Sequence, residues 1–253
     1  MPLFDRSVTP IVLTEHGAAL QAGAQRVLEA VQAARDDVAA VSGQVRGTVT
    51  LACTLNTGTL DLAEMLERVR DRHPGVIVKL RQSSSGSAGN LQSVRDGSVD
   101  IALCASGGNG HVSDSLRGVV FYDLWSEPMV FVCRSDHALA GRGRVAVADL
   151  REEMILRFPP GWGVRAIVDG ALGDTQSAFE IIDYTLMMRL TRAGFGTTLV
   201  PASAVEGERG KGLCAIPFDD PAMRWNLSAA VSADRQLTAA TKTLLAALIQ
   251  GSR

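Results

Sequence analysis

VRGTVTLACTLNTGTLDLAEMLERVRDRHPGVIVKLRQSSSGSAGNLQSVRDGSVDIAL, residues Val45 to Leu103, is the stretch whose pattern decides the fold. An apolar run, Val49 to Cys53, ends in a polar loop containing Gly58. Leu62, Met65, Leu66 and Val69 then repeat at i, i+3, i+4, i+7, one face of a helix. His73-Pro74-Gly75 stops that helix, because proline cannot continue it. A β-branched run follows (Val76 to Leu80), then a Ser/Gly tract, a short helix from Asn90 to Asp96, and a third run from Val99 to Leu103. Apolar strands alternating with helices predict parallel strands joined by right-handed crossovers. Ligands of such sheets sit beyond the carboxyl ends of the strands. Here those ends are small and polar: Thr54, Asn56 and Thr57 after one strand, Ser83, Ser84, Ser85 and Ser87 after the next.

The 253 residues suit one large domain or two small ones. A hydrophobic share of 46% supports ordinary cores, and a net charge of -2 excludes a chain built mainly to grip phosphate backbone. No apolar run reaches the ~18 residues of a membrane span, and the first residues lack a signal-peptide core. A cytoplasmic protein without membrane contact is expected. Cys53, Cys104, Cys133 and Cys214 each lie in or beside an apolar run, which predicts reduced, buried thiols. The four histidines are scattered and no nucleophile elbow or phosphate loop occurs, so no catalytic residue, metal site or cofactor is expected.

Upstream, Phe4 and Ile11 to Leu13 flank a polar turn and predict a small hairpin within residues 1–13. Residues 14–43 predict one long helix, with Thr14 as its cap and Gly43 at its end. Leu20, Ala24, Val27, Val31, Ala34, Val38 and Val41 recur at alternating steps of four and three, a heptad seam. Such a narrow stripe predicts pairing with another helix; a helix lying on its own domain is the alternative. Downstream, a strand (Met129 to Cys133), Val145 to Leu150, a strand (Met154 to Phe158), a helix from Val164, a strand (Phe179 to Ile182), a helix (Tyr184 to Ala193) and a strand (Thr197 to Val200) form a second βαβ set. Trp225 to Val231 and Leu237 to Gln250 supply a last strand and helix, of a kind that often crosses back to the first lobe.

Five segments in this order resemble the LysR-type transcriptional regulators. PLFDRSVTPIVLTEHGAAL is similar to the wing and linker-helix start of that family, and GTVTLACT with LERVRDRHPGVIVKLRQ to the first strands and helix of its effector domain. LQSVRDGSVDIALC carries a G-x-x-D-x-A-L segment; EPMVFVCRSDHALA resembles the opening of the second lobe, with Ala138 where proline is common; LTRAGFGTTLVPASAV resembles the late glycine-rich segment. The family's helix-turn-helix helices are missing before Met1, which puts DNA binding by this chain in doubt.

The resemblance implies two Rossmann-like αβ lobes with a double crossover, of the type 2 periplasmic-binding-protein kind, behind a linker helix. Residues 1–13 would be a wing remnant and 14–43 the dimerisation helix. Lobe I would be 47–124 with 227–253, and lobe II 125–226. It further implies a small, anionic organic effector in the cleft, a homodimer or homotetramer, and DNA as partner only with the missing helices. Effector contacts are expected from Thr54, Asn56, Thr57, Ser84, Ser85 and Ser87, where helix N-termini favour anions. Trp162, Tyr184, Thr185 and Phe195 are expected across the cleft. The plainer readings stay open: Thr54, Asn56 and Ser87 as helix caps, Trp162 as an exposed packing residue, Tyr184 as core. Arg81, Arg157 and Arg165 are either ligand partners or surface. A headless binding or decoy protein that oligomerises with full-length regulators is the competing function.

Overall fold

The computed structural model describes residues 1–41, 44–82, 84–107, 118–173 and 179–252. Gly43, Ser83 and the loop expected around 108–113 lie outside them. A short antiparallel hairpin opens the chain, β1 (Phe4–Asp5) against β2 (Val12–Leu13), and the long helix α1 follows over Glu15–Val41. A two-stranded hairpin is marginal alone in water, and here Thr14 ties it to the helix. Its backbone N–H donates to the Leu3 carbonyl at 3.1 Å and its hydroxyl to the Pro2 carbonyl at 2.8 Å, while that hydroxyl accepts from the Gly17 N–H at 3.1 Å.

The deciding stretch folds as its pattern predicts. β3 (Arg46–Cys53), α2 (Leu62–Arg72), β4 (Gly75–Gln82), α3 (Gly86–Asp96) and β5 (Ile101–Gly107) alternate, and β3 lies parallel to both β4 and β5. Asp61 caps α2 by accepting from the Glu64 N–H at 2.9 Å. The helix α3 begins four residues before the expected Asn90, inside the Ser/Gly tract. Serine and glycine are poor helix formers in isolation, and tertiary contacts override that preference here. Leu91 and Val94 of α3 pack on Ala52, Ala102 and Cys104 on one face of the sheet.

One strand joins the two halves of the molecule. β6 runs unbroken over Val119–Arg134, where the sequence pattern suggests a break at Trp125 to Pro128. Its first part pairs antiparallel with β10 (Arg224–Ser232), up to Pro128 opposite Arg224. Its second part pairs with β8 (Thr197–Pro201) and β9 (Leu213–Pro217). Pro128 stands where β6 changes partners, so its missing N–H breaks no continuous ladder. The strand order is β4-β3-β5-β10-β6-β8-β7, with β9 also on β6.

Around the second half stand β7 (Ile155–Leu156), α4 (Gly163–Leu172) and α5 (Tyr184–Arg192). The strand expected at Phe179 to Ile182 reduces to a bridge between Arg157 and Glu180, and Val145 to Leu150 to a bridge with Phe218 and a short 3-10 turn. The sequence pattern gives no warning of β9. β10 then returns to lie antiparallel to β5, and α6 (Ala239–Gly251) packs on β3 and α2, burying Leu244, Leu245 and Leu248. This curled, mixed αβ sheet is the fold class the resemblance implies. No helix among the described residues is long and apolar enough to cross a membrane.

Candidate functional site

The chain passes between the two halves twice, and a buried polar cluster stands at that crossing. β6 crosses near Glu127, which lies opposite Trp225 of β10. The Met129 N–H donates to the Met223 carbonyl at 2.8 Å and ties the two passages together. Glu127 is 6% exposed. Its carboxylate accepts from the Ser203 backbone N–H and from the Ser203 hydroxyl, each at 2.7 Å. Two such donors offset the cost of burying a carboxylate. Ser203 lies in the turn after β8, and its Oγ accepts from Asn56 Nδ2 at 3.1 Å. Asn56 comes from the loop after β3, so one side-chain chain runs from the first half through Ser203 to the crossing strand.

That loop is held by its own bonds. The Thr54 hydroxyl donates to the Asn56 carbonyl, the Thr57 hydroxyl to the Leu60 carbonyl at 3.1 Å, and Asn56 Oδ1 accepts from the Gly58 N–H at 3.2 Å. The Trp125 indole lies against Gly58. Its Nε1 and the Ser106 hydroxyl are buried without a hydrogen-bond partner among the described residues. Tyr184 is buried, with its ring 4.9 Å from that of Phe158. Burial, and then the charge of Glu127, push its hydroxyl above the usual tyrosine range, with Arg209 opposing them. Arg209 donates to the Ser203 carbonyl at 3.3 Å.

A second bridge joins α3 to the loop before α4. The Ala88 N–H, in the first turn of α3, donates to the Gly161 carbonyl at 3.0 Å. Gly86 has φ +63 and lies so close to Trp162 that a Cβ would stand 2.9 Å from its Cα, so only glycine fits there. The Ser87 hydroxyl is buried and accepts from the Ala105 N–H at 2.9 Å. Trp162 is 7% exposed, packs on Phe158 at 5.6 Å and precedes α4. The next residue, Gly163, would place a Cβ 2.7 Å from the Ala105 carbonyl carbon.

Asn56, Ser87, Trp162 and Tyr184 are thus buried between the halves or beside their contacts, with Thr54 and Thr57 in the same loop as Asn56. Ser84 and Ser85 are exposed at the start of α3, and Thr185 is exposed on the first turn of α5. Phe195 is 52% exposed and meets Phe179 edge-on at 5.7 Å. Neither Thr185 nor Phe195 joins the buried clusters. Glu127, Ser203 and Gly161 escape sequence reasoning. The one available signal for Glu127 is a lone carboxylate at the head of an apolar run, and its partner stands 76 residues away.

The arginines divide clearly. Arg157 is not surface: its side chain is 0% exposed and pairs with Asp169 at 2.6 Å. Arg165 pairs with the same carboxylate at 2.6 Å and with Glu180 at 3.1 Å. Both are committed to this network. Arg81 is exposed and reaches the Ser98 carbonyl at 3.5 Å. Hollows occur elsewhere, including one of about 680 Å³ between α2 and β4, lined by Asp61, Glu64, Glu67, Arg70, Val76 and Val78.

Comparison with known proteins follows this geometry. The model of the LysR substrate binding domain matches residues 42–253. The chain belongs to the LysR substrate-binding-domain family. It is 28% identical over 211 residues to the HTH-type transcriptional regulator CbbR of Sinorhizobium medicae, covering 81% of this chain and 64% of that relative. The chain therefore spans under two thirds of that regulator's length. Its fold matches an OxyR C206 mutant of Corynebacterium glutamicum with a TM-score of 0.71 at 22% identity, covering 99% of this chain and 78% of that one. It also matches the CcmR regulatory domain of Synechocystis in complex with 2-PG, with a TM-score of 0.68 at 18% identity, covering 82% of this chain and 98% of that one.

Proposed function

We propose that this chain is the effector-sensing part of a LysR-type transcriptional regulator. Lobe I comprises 47–124 and 227–253, lobe II comprises 125–226, and a small anionic organic effector is sensed between them. One observation carries the reading: the first turn of α3 gives its Ala88 N–H to a backbone carbonyl of the other half, at Gly161. A helix N-terminus favours anions, and a carboxylate is a stronger acceptor than a neutral carbonyl. An effector carboxylate displaces Gly161 there, with Thr54, Asn56, Thr57, Ser84, Ser85 and Ser87 on one side. Trp162 and Tyr184 stand on the far side. A ligand shifts the lobe arrangement only by its differential affinity for the two states, and the Ala88 and Asn56 bonds are the contacts that differ.

The linker helix carries the change onward. Along its seam Leu20, Val27, Val31 and Val38 are 53%, 62%, 49% and 72% exposed, Ala24 and Ala34 are also exposed, and the Val41 side chain lies outside the described residues. Apolar side chains at heptad spacing bury themselves against a second copy, giving a homodimer or a tetramer. DNA is a partner only where helix-turn-helix helices accompany these residues, and transcription is then the output.

Thermal melting with 2-PG and a panel of small carboxylates tests the reading. A true effector at a hundredfold excess over its Kd stabilises the chain by about 2.7 kcal/mol, several degrees in Tm. Asn56→Ala and Ser87→Ala weaken that shift. Carboxylate binding with unchanged affinity in both variants would place the site elsewhere, and no shift with any anion would remove the anionic effector.

A further inference from the structure

Cys133 and Cys214 face each other. In the antiparallel pairing of β6 with β9 they are direct register partners, between Val132 with Ala215 and Arg134 with Leu213. Directly opposed residues project from the same face of a sheet, with Cα atoms about 4.5–5.5 Å apart. That span lies inside the window of about 4.4–6.8 Å that a disulfide requires. The other two thiols have no such neighbour, since Cys53 stands opposite Gln82 and Cys104 opposite Ser228. Cys133 is fully buried and Cys214 half-buried, so Cys214 is the member of the pair nearer to solvent. β9 pairs with β6 alone among the named strands, which leaves it room to adjust toward its partner.

We propose that Cys133 and Cys214 form a reversible dithiol–disulfide site, oxidised by a hydroperoxide. The Cys214 sulfur attacks the terminal peroxide oxygen; an S–O bond forms, the O–O bond breaks, and water (from hydrogen peroxide) or an alcohol (from an organic hydroperoxide) leaves with the thiol proton. The Cys133 sulfur then attacks the resulting sulfenic acid. The S–S bond forms as the S–O bond breaks, and the hydroxide departs as water with the Cys133 proton. The two sulfurs lose two electrons together and the peroxide gains them. Burial, with smaller contributions from Cys214, Glu153 and Asp136, pushes the Cys133 thiol up to about 11, which suits the second, resolving role better than the first. The bond would pin β9 to β6 just ahead of the second crossing at Met223.

The test is thiol mapping of the purified chain. The reduced chain is treated with hydrogen peroxide, unfolded, alkylated and digested without reductant. The expected result is the loss of two alkylatable thiols, a peptide pair joining Cys133 to Cys214, and full recovery with dithiothreitol, while Cys53 and Cys104 stay alkylated. Cys214→Ser, a change at a half-buried position, abolishes the linkage. Any of three results overturns the proposal: alkylation of both Cys133 and Cys214 after oxidant, separate over-oxidation of Cys214 beside an alkylated Cys133, or linkage only between chains. The wild-type map decides by itself if the variant does not fold.

Discussion

Asn56 and Ser203 lie 147 residues apart in the chain and share a hydrogen bond of 3.1 Å. Ser203 passes that contact on to the buried carboxylate of Glu127. The two substitutions should therefore differ in cost. Asn56→Ala removes a neutral bond worth about 1 kcal/mol, whereas Ser203→Ala strips a donor from a charged group, worth about 1.5–3 kcal/mol. Urea unfolding measures both, and equal costs would show that Glu127 does not depend on the serine hydroxyl.

Asp169 holds two arginines, one of them with a fully buried side chain. Removing one partner of a buried pair leaves an uncompensated charge, at a cost of about 3–5 kcal/mol. Asp169 is 38% exposed on its side chain, so solvent screens part of that loss. Asp169→Ala should cost about 2–3 kcal/mol, and Glu180→Ala, at the exposed end, under about 1 kcal/mol. Denaturant midpoints of the two variants check the ranking.

A Cβ at Gly163 would stand 2.7 Å from the Ala105 carbonyl carbon. A methyl group there is overpacking between the two halves, which costs about 1–3 kcal/mol. Gly163→Ala should loosen the contact of α4 with β5 more than it harms either half. Hydrogen exchange reads this as faster exchange at Ala88 and Ala105, with little change in β3.

Alkali should destabilise the chain. Burial pushes the Cys104 thiol from its ordinary 9 up to about 12, and Cys133 up to about 11. Below pH 9 both folded and unfolded chains keep these protons and the contribution is full. Above it the unfolded chain loses them first, so stability falls by about 1.4 kcal/mol per pH unit for each thiol. The loss is complete once pH passes the folded values. Unfolding midpoints from pH 8 to 10.5 in reductant check it, and Cys104→Ala should flatten the slope.

The seam of α1 predicts self-association. Val31→Glu places a charge in the stripe, where Val31 is 49% exposed in the single chain. Stability of the monomer should hardly change, because exposed substitutions stay within about 0.5 kcal/mol. Sedimentation velocity should show weaker oligomers, and an unchanged profile would assign the interface elsewhere.

Periodicity alone determined the alternation of β3, α2, β4, α3 and β5, because a helix repeats near 3.6 residues and each of these elements buries its own local pattern. It also determined the long helix α1 and the presence of a last strand and helix, whose apolar runs are local. The order of five motifs identified the family for the same reason: they are short segments, legible one at a time. Tertiary structure decided what depends on distant partners. The length of β6 is one case, since two successive sets of strands support it across Pro128. The early start of α3 is another, since Gly86 and Ser87 are held by Trp162 and Ala105. The buried cluster is the clearest case. Nothing near Glu127 in sequence announces a donor, and only the fold brings Ser203, and behind it Asn56, to that carboxylate.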